Sequence, residues 1–226
     1  MEVFNTTGSL CDATSHKYPL NVAHATGSLV NKHIVICGGR DASNDYADCY
    51  KFDQNLRWGK LGKMSTPRVG SASISVETGL LIAGGSNGSH LLNSIETVHL
   101  NGSTMTADVS LPEERRYHCL VKYKTLIFSI GGWDNKKEET VTVWIFDNRV
   151  GMKYFGEGPK LNFARGGHGC GVYYSEAHDD RPLLVVAGSY CCGKASYTSE
   201  YWDFTWLGST WTQTCTPFVT LSFLHG

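Results

Sequence analysis

The 226-residue chain has no apolar run long enough to cross a bilayer. Runs such as Leu183-Leu184-Val185-Val186-Ala187 are of strand length and stop at Gly, against the roughly 20 residues that a membrane helix requires. Neither charge sign is in excess: 20 Lys+Arg stand against 21 Asp+Glu, a formal net charge of -1. With no block of like charge to follow a phosphate backbone or an anionic membrane, neither nucleic acid nor membrane insertion is expected. Helical periodicity is absent throughout. The residues after Met1, Glu-Val-Phe-Asn-Thr-Thr, have neither the positive nor the apolar region of a secretory leader. The chain is therefore expected to be cytosolic, processed, or part of a longer protein. Signatures of catalysis are missing too, with no Gly-x-Ser-x-Gly elbow, phosphate loop or His-Glu-x-x-His helix. No enzyme and no cofactor are expected.

What is present points to β structure. Twenty-five glycines and 12% aromatics suit short strands joined by tight turns, because Gly supplies positive φ and aromatic rings fill pleated surfaces. Apolar runs alternate with Gly, Asn, Asp and Ser clusters, the pattern of an all-β domain. One unit recurs: an apolar strand that ends in small residues, seen in Ile34-Val35-Ile36-Cys37-Gly38-Gly39, Leu80-Leu81-Ile82-Ala83-Gly84-Gly85, Leu126-Ile127-Phe128-Ser129-Ile130-Gly131-Gly132 and Leu184-Val185-Val186-Ala187-Gly188-Ser189. A polar loop and an alternating strand follow each copy, the strands being Ala47–Asp53, Ile95–Asn101, Val141–Asp147 and Thr198–Phe204. An aromatic opens the next short strand at Trp58, Tyr154 and Trp211, and an arginine precedes the next unit at Arg68, Arg115 and Arg165.

In these motifs the chain resembles the kelch repeat family, and the likeness covers nearly its whole length. The first glycines stand 46, 47 and about 57 residues apart, bracketing a kelch period of about 50. The resemblance implies an all-β, kelch-type β-propeller with about four recognisable four-stranded blades, in which neighbours bury each other's faces. The double Gly is expected to let the backbone pass close to aromatic side chains of its own blade. Residues 1–14 are assigned to the last strands of a preceding blade, 20–63, 67–108, 115–157 and 165–214 to four blades, and 215–226 to a terminal strand or tail. Terminal strands could close a fifth blade, but that blade would lack a double-Gly strand, so a portion of a larger propeller is the favoured expectation.

Eight cysteines exceed what a reducing cytosol calls for. Cys37 and Cys49 lie on adjacent strands of one blade and form a candidate disulfide. Cys170, Cys191, Cys192 and Cys215 fall in the fourth blade, where one or two more bridges could form, while Cys11 and Cys119 have no evident partner and the connectivity stays open. Glycosylation sequons begin at Asn5, Asn87 and Asn101. The Cys-Gly-Gly segment with Asp-Cys-Tyr resembles Cys-bearing kelch units of secreted or cell-surface animal proteins. An extracellular or secreted location is favoured over a cytoplasmic one.

Arg is followed three residues on by His at Arg115 and His118 and again at Arg165 and His168, with Asn21 and His24 taken as the first-unit counterpart. Convergence of His24, His118 and His168 on a metal is the minor reading, and no metal site is assigned. Adjacent Cys191 and Cys192 lack the two-residue gap of a zinc pair. Glu176, His178, Asp179 and Asp180 read as a solvated hairpin tip. The loops 40–46, 86–93, 133–139 and 189–197 vary while the strands repeat, which suits a scaffold that binds a protein or glycan. Trp133 and Tyr190 are the expected contact residues, with Arg68, Arg115 and Arg165 as candidates to line a mouth for an acidic ligand. The alternatives are the propeller portion of an intracellular substrate adaptor for ubiquitin ligation and, more remotely, an enzyme similar to copper radical oxidases, for which no residue-by-residue match is found.

Overall fold

The computed structural model describes residues 17–88, 90–175, 181–191, 194–204 and 213–214. Expectations for Asn5, Cys11, Cys192, Trp211, Cys215, the 176–180 tip and the two terminal segments lie outside the described residues. The chain divides into two compact units, Met1–Ser110 and Leu111–Gly226. Each contributes two four-stranded antiparallel sheets, and no α-helix occurs among the described residues.

In the first unit, blade 1 runs β1 (Thr26–Val30), β2 (His33–Cys37), β3 (Asp48–Phe52) and β4 (Trp58–Lys63), each paired with the next. Blade 2 repeats that order with β5 (Ala72–Val76), β6 (Gly79–Ala83), β9 (Ile95–His99) and β10 (Thr104–Thr106). A two-residue pair, β7 (Ser86–Asn87) with β8 (His90–Leu91), sits in its β6–β9 loop. In the second unit, blade 3 is β11 (Cys119–Tyr123), β12 (Leu126–Ile130), β13 (Val143–Asp147) and β14 (Lys153–Glu157). Blade 4 is β15 (Gly169–Ser175), β16 (Arg181–Cys191), β17 (Lys194–Asp203) and β18 (Gln213–Thr214).

Alternation along the strands supplies each unit with a core between its blades. Val30, Val35, Cys37 and Cys49 of blade 1 meet Leu80, Ile82 and Val98 of blade 2. Phe128, Ile130, Val143 and Ile145 of blade 3 meet Leu184, Val186, Trp202 and Phe204 of blade 4. Each such side chain contributes about 1.5–3 kcal/mol by leaving water, which is why the second strand of blade 2, Gly79–Ala83, is buried at every position.

In blades 1 and 3 the double Gly bonds across to the next blade, while the second glycine of blades 1 to 3 lies against Ala25, Ser71 and the His118 Cβ of its own blade and not against an aromatic ring, which corrects the expectation. Both glycines have positive φ in blades 1 to 3. The second one donates its N–H to the arginine carbonyl that opens the next blade, Gly39 to Arg68 at 2.8 Å and Gly132 to Arg165 at 2.6 Å. A Cβ at Gly38 would press on that same Arg68 carbonyl, so the seam needs the missing side chain as well as the φ. Blade 4 has Ser189 where a second Gly would stand. Its backbone bulges at Gly188 and resumes pairing as Ser189↔Ser196, Tyr190↔Ala195 and Cys191↔Lys194. The expected loop 189–197 is therefore largely a long hairpin, because without a second left-handed residue the strand continues past the turn.

Candidate functional site

Arg68, Arg115 and Arg165 are wholly buried and cannot line an accessible mouth, so their assignment as contact residues is corrected. Each Nη1 donates to the carbonyl of its own blade's first glycine: Gly84 at 2.7 Å, Gly131 at 2.8 Å and Gly188 at 2.8 Å. The tight turn removes that carbonyl from the strand ladder, and left without a donor it would cost about 1–3 kcal/mol.

A buried guanidinium needs an answering group, and the repeats supply it in two ways. In blade 2, Glu96 accepts Arg68 Nε at 2.9 Å and Nη2 at 2.5 Å, and its other oxygen takes the Ser65 N–H at 2.6 Å. In blade 4, Glu200 accepts Arg165 Nε at 3.0 Å and the Asn162 N–H at 2.7 Å. Blade 3 places Trp144 at this strand position, and the Arg115 guanidinium stacks 3.5 Å from its ring centroid. The residue three before the arginine is then Pro112, which has no N–H to be satisfied. Arg115 Nε and Nη2 have no hydrogen-bond acceptor, Glu113 approaches only to 3.6 Å, and burial pushes this guanidinium down to about 10. Blade 1 drops the arrangement entirely, with Val22, Pro19 and Tyr50 at the three positions and Tyr18 packed edge-on to Tyr50. Acid, amide and arginine thus change together within one chain. The readable signal was a Glu inside an otherwise apolar third strand.

His118 and His168 each precede the first strand of their blade and are buried. Their counterparts are Ala25 and Ser71, as shown by the second glycines, which pack Gly39 on Ala25, Gly85 on Ser71 and Gly132 on His118. His24 lies one position earlier, at the positive-φ site that it shares with Gly70, Tyr117 and Gly167. The series His24, His118, His168 is therefore out of register. Among the described residues, no group of three or more His, Cys, Asp and Glu could hold a metal ion.

The accessible chemistry lies in the loops after the double Gly. Asp41 Oδ1 caps the amides of Ser43 and Asn44, while Oδ2 takes the Tyr46 hydroxyl at 2.6 Å. Asp134 caps Lys136 and Glu138 in the same manner. Both loops are thus held in shape before any ligand arrives. Trp133 is half-buried beside Tyr117, ring centroids 6.3 Å apart, and Arg116 stands 5.2 Å and 5.7 Å from the two rings. Arg116 and Tyr117 were not legible as site residues, since they follow the frame arginine Arg115 and only the bridge Arg116↔Trp133 joins them to the loop. Gly166 backs the indole so closely that a Cβ there would collide with it. Gly166→Ala is expected to displace Trp133 and cost about 1–3 kcal/mol, read as a change in near-UV circular dichroism together with a lower melting temperature. Tyr190 lies in β16, its side chain outside the described residues. In the first unit, an open cavity of about 600 Å³ lies between Asn21–His24 and Arg40–Ser43.

Two disulfides are present among the described residues. Cys37 and Cys49 face each other across β2 and β3 with Cα atoms 4.1 Å apart, and the flanking Gly38 N–H to Asp48 C=O bond marks theirs as a non-hydrogen-bonded pair. Cys119, which had no evident partner, is bonded to Cys170 with Cα atoms 6.1 Å apart. The pairing joins two blades and was not legible locally, because β11 and β15, far apart in sequence, are the neighbouring first strands of blades 3 and 4.

No family model matches the chain. It is 29% identical over 122 residues to Kelch-like protein 36 of Mus musculus and to that of Bos taurus, a match that covers 51% of this chain and 20% of each relative. It is 26% identical over 90 residues to the spermatocyte protein spe-26 of Caenorhabditis elegans, covering 40% of this chain and 16% of that one. The chain spans no more than about a fifth of the length of the relatives it matches. In its four-stranded blades, its double-Gly turns bonded to the next blade's arginine and these partial matches, the chain is similar to kelch-repeat β-propeller proteins.

Proposed function

We propose that this chain is a non-catalytic scaffold that binds a protein or glycan through the loops after its double glycines, and that it works outside the cell as a disulfide-bonded glycoprotein. The observation that supports binding is the Arg116, Tyr117 and Trp133 cluster. These residue types dominate binding hot spots, they are partly accessible, and Asp134 holds the adjoining loop in one shape. The expected assay is binding of the labelled chain to a glycan array and to intact cells. Trp133→Ala should lower the signal by tenfold or more, as about 2 kcal/mol at a hot-spot aromatic implies, with the melting temperature little changed. Equal binding by parent and variant would sink the assignment of the cluster.

The compartment is supported by cysteine pairs already in bonding geometry, an arrangement characteristic of oxidising environments. Peptide mapping with and without reduction, on chain made in a secretory host, is expected to find both crosslinks. Free thiols with misfolding there, and good behaviour in a reducing cytosol, would favour the intracellular adaptor.

A further inference from the structure

We propose that Asn101 carries an N-linked glycan, placed on the side of its blade opposite the ligand-binding loop. The inference rests on the extracellular reading above. Asn101-Gly102-Ser103 forms the turn between β9 and β10. His99 C=O accepts the Gly102 N–H, the His99 N–H returns to Ser103 C=O, and Gly102 takes a φ of 88°. This is a short hairpin turn with its left-handed residue supplied by Gly.

The turn is anchored from beneath. Gly102 lies against the Leu61 backbone so closely that a Cβ would clash, and Thr104 Oγ1 donates to Lys63 C=O at 2.6 Å. Asn101 itself is exposed. Hydrogen bonds from the Ser103 N–H at 3.0 Å and from the Ser103 hydroxyl at 2.7 Å both fall on its Oδ1. The sequon hydroxyl is therefore already on the acceptor side of the amide, and neither of these bonds engages Nδ2 of this exposed residue.

Topology sets the side. The loop after Gly84-Gly85 leads into β9 at Ile95, and the Asn101 turn leaves β9 after His99, so the two lie at opposite ends of one strand. Asn87 stands at the loop end, where the neighbouring Gly88 N–H is held by Asp45 of the blade 1 loop at 2.7 Å. A glycan on Asn87 would cover the binding loops, whereas one on Asn101 leaves them open.

In the reaction, Asn101 Nδ2 attacks the anomeric carbon of an oligosaccharide carried on a polyprenyl diphosphate. The new C–N bond replaces the C–O bond to phosphate, Nδ2 gives up one proton, and the polyprenyl diphosphate leaves.

The test uses the full chain in a secretory eukaryotic host, with Asn87→Gln as background so that the 101 peptide is read alone. Peptides are mapped from secreted and retained material, with and without an amidase that releases N-glycans and leaves aspartate. The expected result is an Asn101 glycopeptide that is lost in Ser103→Ala and kept in Ser103→Thr, the latter preserving the hydroxyl and serving as the folding control. An unmodified Asn101 in a product that carries the Cys37–Cys49 and Cys119–Cys170 crosslinks overturns this site and leaves the extracellular reading standing. Free thiols together with an unmodified Asn101 overturn both.

Discussion

Arg165→Leu is expected to lower the stability of the second unit by about 3–5 kcal/mol, because it strands the Glu200 carboxylate in the protein interior. The same substitution leaves the Gly188 carbonyl without its donor. Glu200 would keep the Asn162 N–H but lose the charge that answers its own. Replacing both partners with leucine is expected to recover part of the loss, since no buried charge then remains unpaired. The chain contains its own further solution in blade 3, where Trp144 and Pro112 take the places of the acid and of the amide donor. Glu200→Trp combined with Asn162→Pro, with Arg165 retained, is therefore expected to cost less than Arg165→Leu. Urea unfolding midpoints decide the matter. A single Arg165→Leu within about 1 kcal/mol of the parent would show that the pair does not hold the double-Gly turn.

Acid is expected to loosen the seam between blades 3 and 4 before it protonates most carboxylates. His118 lies well below the usual imidazole range because it is buried, with Arg115 and His168 adding repulsion. His168 is lowered to about 4, again by burial first and then by Arg165, while the nearby Ile130 backbone works weakly the other way. That backbone approach does not amount to a well-formed hydrogen bond, and neither ring nitrogen of either histidine has a partner that meets one. Glu113 and Asp134 act on Arg115, and Glu200 is committed to Arg165, so among the described residues of this unit no buried acid stands ready for a second imidazolium. Both shifts are downward. The unfolded chain therefore takes up protons below pH 6.5 that the folded chain refuses, and stability present above pH 6.5 falls as the pH drops toward 4. For His168 alone the fall from 6.5 to about 4 corresponds to about 3 kcal/mol. Melting temperatures across pH 7.5 to 4.5 should drop steeply in the parent and less in His118→Ser with His168→Ser, serine being the residue that blade 2 carries here as Ser71. Parallel curves for parent and variant would remove the pair as the cause.

Blades were legible because their signals are local. A strand needs alternation, a turn needs residues tolerant of positive φ, and the Gly-Gly pairs supply that punctuation at a regular spacing. The Cys37 and Cys49 pairing could be considered for the same reason, since the two residues share a hairpin. Tyr18 shows how far the local signal reaches: the assigned blade began at residue 20, yet Tyr18 packs against Tyr50 and Trp58 of that blade.

The sequence by itself determined the all-β class, the repeat and the positions of the loops after the three Gly-Gly pairs, because each depends on residues close together in the chain. Only the tertiary structure decided what the repeated arginines do, which histidines are equivalent and which cysteine meets Cys119. Those outcomes depend on contacts between strands tens of residues apart, where a shift of one position, as between His24 and Ala25, changes what a side chain faces. Arg68, Arg115 and Arg165 look from the sequence like cations free for a ligand. Burial beside Glu96, Trp144 and Glu200 commits them to the frame, because a charge removed from water must find its partner inside the protein.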